Sequence, residues 1–316
     1  MSILYQTIKD KNEITKINSK TLFVGISDES YYKTIQDAIN ASSNNDTIII
    51  ENGIYNELLT INKSIILVGQ STDNTIINYS SNNSQRQVII INIDSDKCKI
   101  ENLTVTKNTY TGDTMGVYIN SSNNIIKNVK IINVSKAITI GVNKNNNILS
   151  QNQILNNLIG IQTWKSSYNF IENNIIFSNA ENGIFIHTYS YENTIKNNIV
   201  INNYYGAMIK GSNNNIVYNN CFKENNYGTI ICCGSSDNIV YNNIFLNNSI
   251  NNSKQSADIT NYWHNDFETG GNYWDDYNGV DEHHDGYGDT PYVIPEGGEQ
   301  DIYPLIKPPE EIMCEV

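Results

Sequence analysis

Short runs of alternating apolar and polar residues repeat along residues 124–247, with a period of 22 to 24 residues. Each repeat opens on an asparagine, and apolar residues follow at the second and seventh positions after it. A small residue comes next in each repeat. The residues one and three positions after this small residue also face inward. Alternation of this kind indicates strands and excludes helices. The opening asparagines are Asn124, Asn147, Asn169, Asn193, Asn215 and Asn238.

Three short strands in about 22 residues predict one coil of a solenoid, with coils stacked about 4.8 Å apart as neighbouring strands are. We therefore predict an all-β fold, a right-handed single-stranded parallel β-helix with coils of about 22–23 residues. Two further asparagine columns support it, because amides one coil apart can form hydrogen-bonded ladders at the turns. These columns are Asn152, Asn174, Asn198, Asn220 and Asn243, and Asn157, Asn179, Asn203, Asn225 and Asn248.

The two ends of the repeat have different sequences. Upstream, Tyr32, Ile35, Ala38 and Ile39 share one helical face and predict a helix that caps the solenoid. Downstream, the repeat gives way to an aromatic, acidic, glycine-rich segment. We predict three regions: residues 1–30 as an N-terminal lead-in, 31–257 as the β-helix with its N-terminal cap, and 258–316 as an acidic aromatic C-terminal cap.

The negative charge lies almost entirely in the last region. The chain has a net charge of −13, and residues 258–316 hold 15 acidic residues against one basic residue, Lys307. The body is therefore close to neutral and has no basic stripe, which argues against nucleic-acid binding. No apolar run approaches the 18 residues or so of a membrane span, and residues 1–16 have no continuous apolar segment of the kind a secretory signal needs.

Five cysteines, an odd number without CxxC spacing, argue against a disulfide framework or a structural zinc site. Of the adjacent pair Cys232 and Cys233, one should face the core, because neighbours on a strand point to opposite sides.

Residues two and four positions past the small residue must face outward. One outward column reads Gly141, Trp164, His187, Lys210 and Cys232, and the other Thr139, Gln162, Phe185, Met208 and Ile230. From them we predict a ligand-binding strip, hereafter "the strip", because aromatic rings beside hydrogen-bonding groups suit a sugar. In the alternative interpretation, a loop or the acidic tail covers this surface. The strip consists of Trp164, Phe185, His187, Met208 and Lys210.

Two groups of residues are candidate metal ligands. His187, Met208 and Cys232 offer imidazole, thioether and thiolate, which suit copper(I). Asp281, Asp285 and Asp289 recur at four-residue intervals around Gly286 and Gly288, as in an oxygen-rich calcium loop. His283 stands at the third position of that loop, where an oxygen ligand is expected, and weakens the match.

The chain resembles the NosD-like family of right-handed β-helix proteins over roughly residues 31–306. The resemblance rests on the N-x-I-x-x-N coils, on the entry segment TIQDAINASSNNDTIIIENGIYNE, and on the closing segment GGNYWDDYNGVDEHHDGYGDTPYVI with DIYPL after it. It implies an extracellular, cell-surface or periplasmic protein of the carbohydrate-binding and sugar-hydrolase β-helix class. It also implies a role in copper-site maturation, since the family's namesake is a periplasmic copper accessory.

The sequence favours a non-catalytic protein that binds a polysaccharide or a protein partner on the strip. The first alternative is a NosD-like accessory protein for copper binding or metallocentre assembly. The candidate cofactors are calcium and copper. The second alternative is an enzyme: a polysaccharide lyase or epimerase, or a glycoside hydrolase. No catalytic residues are assigned: the strip holds no carboxylate to pair with His187 or Lys210, and the GHG, NTD and DD constellation of polygalacturonase-type β-helices is absent.

Overall fold

The computed structural model describes residues 19–25, 31–80, 87–107, 113–312 and 314–315. These residues form one helix, α1 (Ile35–Ala41), and 29 strands. The first strands in chain order are β1 (Thr21–Val24), β2 (Thr47–Ile50), β3 (Gly53–Asn56), β4 (Leu59–Ile61), β5 (Ile66–Gly69), β6 (Thr75–Tyr79), β7 (Gln87–Ile93), β8 (Lys99–Lys107), β9 (Asp113–Ile119), β10 (Ile125–Ile132) and β11 (Lys136–Ile140).

The central coils follow with β12 (Ile148–Ser150), β13 (Gln153–Leu155), β14 (Ile159–Trp164), β15 (Phe170–Glu172), β16 (Ile175–Phe177), β17 (Asn182–His187), β18 (Thr194–Lys196), β19 (Ile199–Ile201), β20 (Tyr205–Lys210), β21 (Ile216–Tyr218), β22 (Cys221–Lys223) and β23 (Tyr227–Cys232). The chain closes with β24 (Ile239–Tyr241), β25 (Ile244–Leu246), β26 (Asn251–Gln255), β27 (Tyr273–Trp274), β28 (Tyr292–Val293) and β29 (Gln300–Asp301).

The predicted solenoid is confirmed: about 10 turns of about 23 residues stack as parallel strands. One face is a nine-stranded sheet in the order β26-β23-β20-β17-β14-β11-β9-β7-β4. The other two faces are joined, because β8 and β10 are long enough to turn the corner between them. β10 accordingly pairs with β12 through its first half and with β13 through its second half.

The inward columns form one continuous core. Their aliphatic members, such as Ile126, Ile131, Ile154 and Ile176, are fully buried. The column through Ile176 ends in a run of stacked rings, with centroids 5.3 Å apart for Phe222–Phe245, 4.4 Å for Phe245–Trp274 and 4.3 Å for Trp274–Tyr292.

The small-residue column exists because adjacent coils approach too closely for a side chain. A Cβ at Gly160, Gly183, Gly206 or Gly228 would lie between 2.3 and 2.7 Å from a backbone oxygen of the next coil. This is well inside van der Waals contact, so the backbone itself would have to shift.

The asparagine columns form the predicted ladders. In the column through Asn198, the Oδ1 atom accepts from both the backbone N–H and the side-chain amide of Asn174, at 3.0 and 2.9 Å. The Nδ2 of Asn198 donates to Asn220 Oδ1 at 2.9 Å and to the Ile171 carbonyl at 2.8 Å. These bonds satisfy polar backbone groups at the corners, which the turns of the solenoid would otherwise leave buried and unpaired.

At the N-terminal end, α1 lies against β1, β2 and β4 and buries Ile35, Ala38 and Ile39. β1 pairs with β2, whereas residues 1–18 and 26–30 of the predicted lead-in lie outside the described residues. No helix in the described part of the chain is long and apolar enough to cross a bilayer.

At the C-terminal end, Trp263, Trp274 and the carboxylate of Asp301 are buried. Asp301 Oδ2 accepts from the Asn272 N–H at 2.7 Å and from Trp274 Nε1 at 2.9 Å, and Oδ1 accepts from the Tyr303 N–H at 3.1 Å. Burial nevertheless raises the pKa of Asp301 to about 6, because removing a carboxylate from water penalises its charged form.

The raised pKa predicts a pH-dependent contribution to stability. With a folded-state pKa of about 6 against 3.8 unfolded, the stabilisation is complete below pH 3.8 and is lost as pH rises through 6. The stability of the wild type relative to Asp301→Asn should therefore fall by about 2.5 kcal/mol between pH 4 and pH 7. Denaturant unfolding of both proteins across this range measures it, and parallel pH profiles would contradict the assignment.

Candidate functional site

The strip lies on the outward face of the nine-stranded sheet. Its residues belong to three successive strands, β14, β17 and β20. In the strand register Trp164 pairs with His187, His187 with Lys210, and Phe185 with Met208. The one-residue insertion before Gly183 is absorbed before β17 and does not move His187 out of its column.

Three rings of the strip form a contact cluster. The rings of Trp164 and His187 stack with centroids 4.7 Å apart and planes 22° from parallel. Phe185 packs edge-on against His187, with ring centroids 4.6 Å apart. Trp164 keeps 46% of its surface exposed, and the other four strip residues are half-buried. The acidic tail therefore does not bury Trp164, and a flat indole face remains open to solvent.

The surroundings of His187 favour its neutral form. Burial first, and then the positive charge of Lys210, lower the pKa of His187 below its usual value. Its Nδ1 atom is buried and has no hydrogen-bond partner among the described residues. Lys210 itself forms no ion pair with a carboxylate in the described part of the chain. The strip thus combines an aromatic platform with one cation.

A group of tyrosines lies at the other end of the strands of the nine-stranded sheet, where strands β20 and β23 begin. The sequence pattern did not predict this group. Tyr205 and Tyr227 stack at 5.5 Å between centroids, and Tyr204 meets Tyr205 edge-on at 4.6 Å. Lys254 lies 6.0 Å from the Tyr227 ring and pairs with Glu296. The signal that could have found them is positional, because Tyr205 and Tyr227 each directly precede the small residue of their coil.

A cavity of about 620 Å³ lies elsewhere, on another edge of the solenoid. Asparagine and serine residues of the turns dominate its lining. Its one charged residue, Lys107, is buried and donates to Thr114 Oγ1 at 2.7 Å. No aromatic residue lines it in the described part of the chain, so the strip is the better candidate for a ligand that needs a stacking surface.

The predicted copper ligands lie on three successive strands, β17, β20 and β23. In the register Lys210 lies between His187 and Cys232, paired with both. Met208 belongs to the adjacent outward column, where it pairs with Phe185 and Ile230. No group of three or more His, Cys, Asp or Glu residues in the described ranges could hold a metal ion.

The carboxylates of the acidic loop are directed to the loop's own backbone. Both oxygens of Asp281 accept backbone N–H groups, from Asp285 at 3.1 Å and Gly286 at 2.9 Å. Asp285 accepts from the Tyr287 N–H at 3.0 Å. Asp289 accepts from the Glu282 N–H and contacts His283 Nδ1. The pKa of Asp289 is lowered first by that N–H and then by His283, while Asp289 raises the pKa of His283.

Two expectations about cysteine are wrong. Cys221 of β22 forms a disulfide with Cys314, with Cα atoms 5.5 Å apart and a sequence separation of 93. An odd cysteine count could not reveal a bond that depends on where the tail returns. In the adjacent pair neither residue is in the core: Cys232 is half-buried and Cys233 is exposed. The strand ends at Cys232, and Cys233 turns away with a positive φ of 62°.

Comparisons with known proteins agree with this architecture. Residues 113–279 match the family model described as periplasmic copper-binding protein (NosD). No curated protein matches the sequence significantly.

Solved structures resemble the chain in fold. The A-module of a mannuronan C-5 epimerase from Azotobacter vinelandii is 16% identical, with a TM-score of 0.54 over 75% of this chain and 86% of that one. An alginate lyase from Paenibacillus sp. strain FPU-7 is 13% identical, with a TM-score of 0.53 over 80% and 97%. XylC, solved with xylose, is 12% identical, with a TM-score of 0.57 over 80% and 68%. At these identities the likeness establishes the solenoid fold alone.

Proposed function

The chain belongs to the NosD family of periplasmic copper-binding proteins, and we propose that it is a non-catalytic β-helix protein that binds a polysaccharide along the strip. The observation that carries the proposal is the exposed indole of Trp164, held in place by its stacked contact with His187. An indole ring that is fixed in position and open to solvent offers a surface on which a sugar ring can stack.

The chemistry of the strip suits a sugar chain. Pyranose rings present an apolar face that packs on an indole, while their hydroxyl groups need donors and acceptors nearby. Lys210 supplies three donors without a competing carboxylate. A uronate carboxylate would add an ion pair with Lys210, so an acidic glycan is the preferred ligand class.

The similar solved structures support the same ligand class. Two of them are named for acting on mannuronan and alginate, and a third was solved with xylose. An extracellular or periplasmic location fits the family description. The disulfide between Cys221 and Cys314 is consistent with it, because disulfides persist in oxidising compartments.

The family description also implies copper, but the arrangement of side chains does not fit it. A lysine ammonium between His187 and Cys232 would repel a cation bound by those two residues. Burial first, and then the Cys233 thiol, raise the pKa of the Cys232 thiol to about 12, which opposes the thiolate that copper(I) needs. Calcium at Asp281, Asp285 and Asp289 is disfavoured in a similar way, because most of these oxygens already accept backbone donors.

An enzymatic role is the second candidate, favoured by one observation. Burial first, and then Lys210, lower the pKa of His187, which favours the neutral imidazole that a proton-abstracting base requires. Release of unsaturated uronate products from alginate or pectate would identify a lyase, and a loss of that activity in His187→Gln would place the base.

The test of the binding proposal is Trp164→Ala. We expect binding to an array of uronate-containing and neutral oligosaccharides to fall at least tenfold, because the stacking platform is lost. The free energy of unfolding should change by less than about 1 kcal/mol, as for other exposed positions. Binding by calorimetry and unfolding by denaturant measure the two quantities.

The matched control is Phe177→Ala, which removes an exposed ring from a different face. It should leave glycan binding unchanged. If Trp164→Ala retains wild-type binding, or if the wild type binds no member of the array, the proposal is wrong. If Trp164→Ala instead loses several kcal/mol of stability, the ring serves the packing of the folded protein and not ligand binding.

A further inference from the structure

Two adjacent thiols lie at the end of β23, where the nine-stranded sheet meets solvent. The Sγ atoms of Cys232 and Cys233 are 2.9 Å apart, much closer than two sulfur atoms in ordinary van der Waals contact. The chain turns sharply there, since Cys233 and Gly234 both have positive φ, 62° and 82°. A left-handed backbone is uncommon for residues other than glycine, asparagine and aspartate, so the turn presses the two side chains together.

We infer that Cys232 and Cys233 form a vicinal disulfide, a covalent modification beyond the proposed binding function. A disulfide oxidant, such as oxidised glutathione or a thiol–disulfide oxidoreductase, supplies the oxidising equivalents. The exposed Cys233 attacks it and releases one thiol, and Cys232 then displaces the second thiol as the Sγ–Sγ bond closes. Two protein thiols lose two electrons and two protons, and the oxidant's disulfide is reduced to two thiols.

Geometry and surroundings both favour this closure. A disulfide needs its sulfur atoms about 2.04 Å apart, so from 2.9 Å each atom has to move by only about half an ångström. Cys233 is exposed to an oxidant, and the chain already holds one oxidised pair, Cys221 and Cys314. Cys98, by contrast, is buried and far along the chain from any of the other four.

The ring would also change the surface beside the strip. Cys233 lines a cleft of about 270 Å³ together with Tyr189 and Lys210. Closing the pair replaces two thiol donors with a rigid apolar ring at the Lys210 end of the strip.

The bond should be easier to reduce than the one between Cys221 and Cys314. Adjacent Cα atoms are about 3.8 Å apart, shorter than the 4.4 to 6.8 Å usual for disulfides, and such deviations store strain that favours reduction. Mild reduction should therefore open the vicinal pair first.

Counting thiols tests the inference without any ligand, so its failure is distinguishable from failure of the binding proposal. The full chain is incubated with oxidised glutathione, denatured without reductant, alkylated and weighed. Of the five cysteines, one should be alkylated, Cys98. Mild reduction before alkylation should raise the count to three, and full reduction to five.

Peptide mapping assigns the change, because the peptide that contains both adjacent cysteines should be two hydrogens lighter than its reduced form. The Cys233→Ser variant is the matched control, in which Cys232 has no partner and two residues, Cys98 and Cys232, should be alkylated or carry glutathione. Alkylation of both Cys232 and Cys233 in the oxidised wild type, or glutathione retained on either, would overturn the inference.

Discussion

Replacing Ile176 by Asp is expected to destabilise the protein by several kcal/mol. Ile176 is fully buried in the inward column of its face, and it pairs with Ile154 on one side and Val200 on the other. A carboxylate there would have no donor, and burying an unpaired charge costs far more than the lost apolar contact. Chemical denaturation with far-UV circular dichroism measures the change.

The control is Phe177→Asp, one residue along the same strand. Phe177 faces outward and is exposed, so a carboxylate there stays hydrated and should alter stability by no more than about 0.5 kcal/mol. Equal unfolding midpoints for the wild type and Ile176→Asp would mean that this column does not form the core.

Replacing Asn198 by Ala is expected to cost about 3 to 5 kcal/mol, because the substitution breaks a ladder in the middle. The variant loses the two bonds that Asn198 accepts from Asn174 and the two that it donates to Asn220 and Ile171. Each buried donor or acceptor left without a partner costs about 1–3 kcal/mol. In a solenoid the damage should spread to neighbouring coils, because each coil is stabilised only by contacts with the next.

The matched control is Asn197→Gly, at the adjacent residue. Asn197 is exposed and has a φ of 53°, a conformation that glycine adopts without strain. Its loss should therefore cost only a few tenths of a kcal/mol. The hydrogen-exchange rate of the Asn174 backbone N–H gives a second measurement. This rate should rise sharply in Asn198→Ala and stay low in Asn197→Gly. Similar exchange in both variants would show that the ladder does not protect this amide.

The ladder also explains why asparagine is so frequent in this chain. A solenoid corner leaves backbone groups facing inward, and an amide side chain both donates and accepts, so identical residues can satisfy one another along the axis. Aspartate cannot donate in its ionised form, and a column of carboxylates would repel itself. The sequence requirement is thus chemical as well as steric.

The sequence by itself determined everything that repeats. The apolar columns, the small-residue column and the asparagine ladders follow from a single period, because each coil makes the same contacts with the next coil as its neighbours do. The same reasoning placed Trp164, His187 and Lys210 in one outward column, since strand alternation and the period together fix which residues are neighbours. A one-residue insertion did not disturb this column because a turn absorbed it.

Only the tertiary structure determined the contacts that do not repeat from coil to coil. The bond between Cys221 and Cys314 depends on where a non-repeating tail returns, and the buried carboxylate of Asp301 depends on how that tail packs around Trp274. The outward turn of Cys233 depends on a positive φ at the end of a strand, which alternation alone assigns to the wrong side. Repeated contacts can be read from spacing, whereas single long-range contacts depend on the packing of the whole chain, which no local pattern encodes.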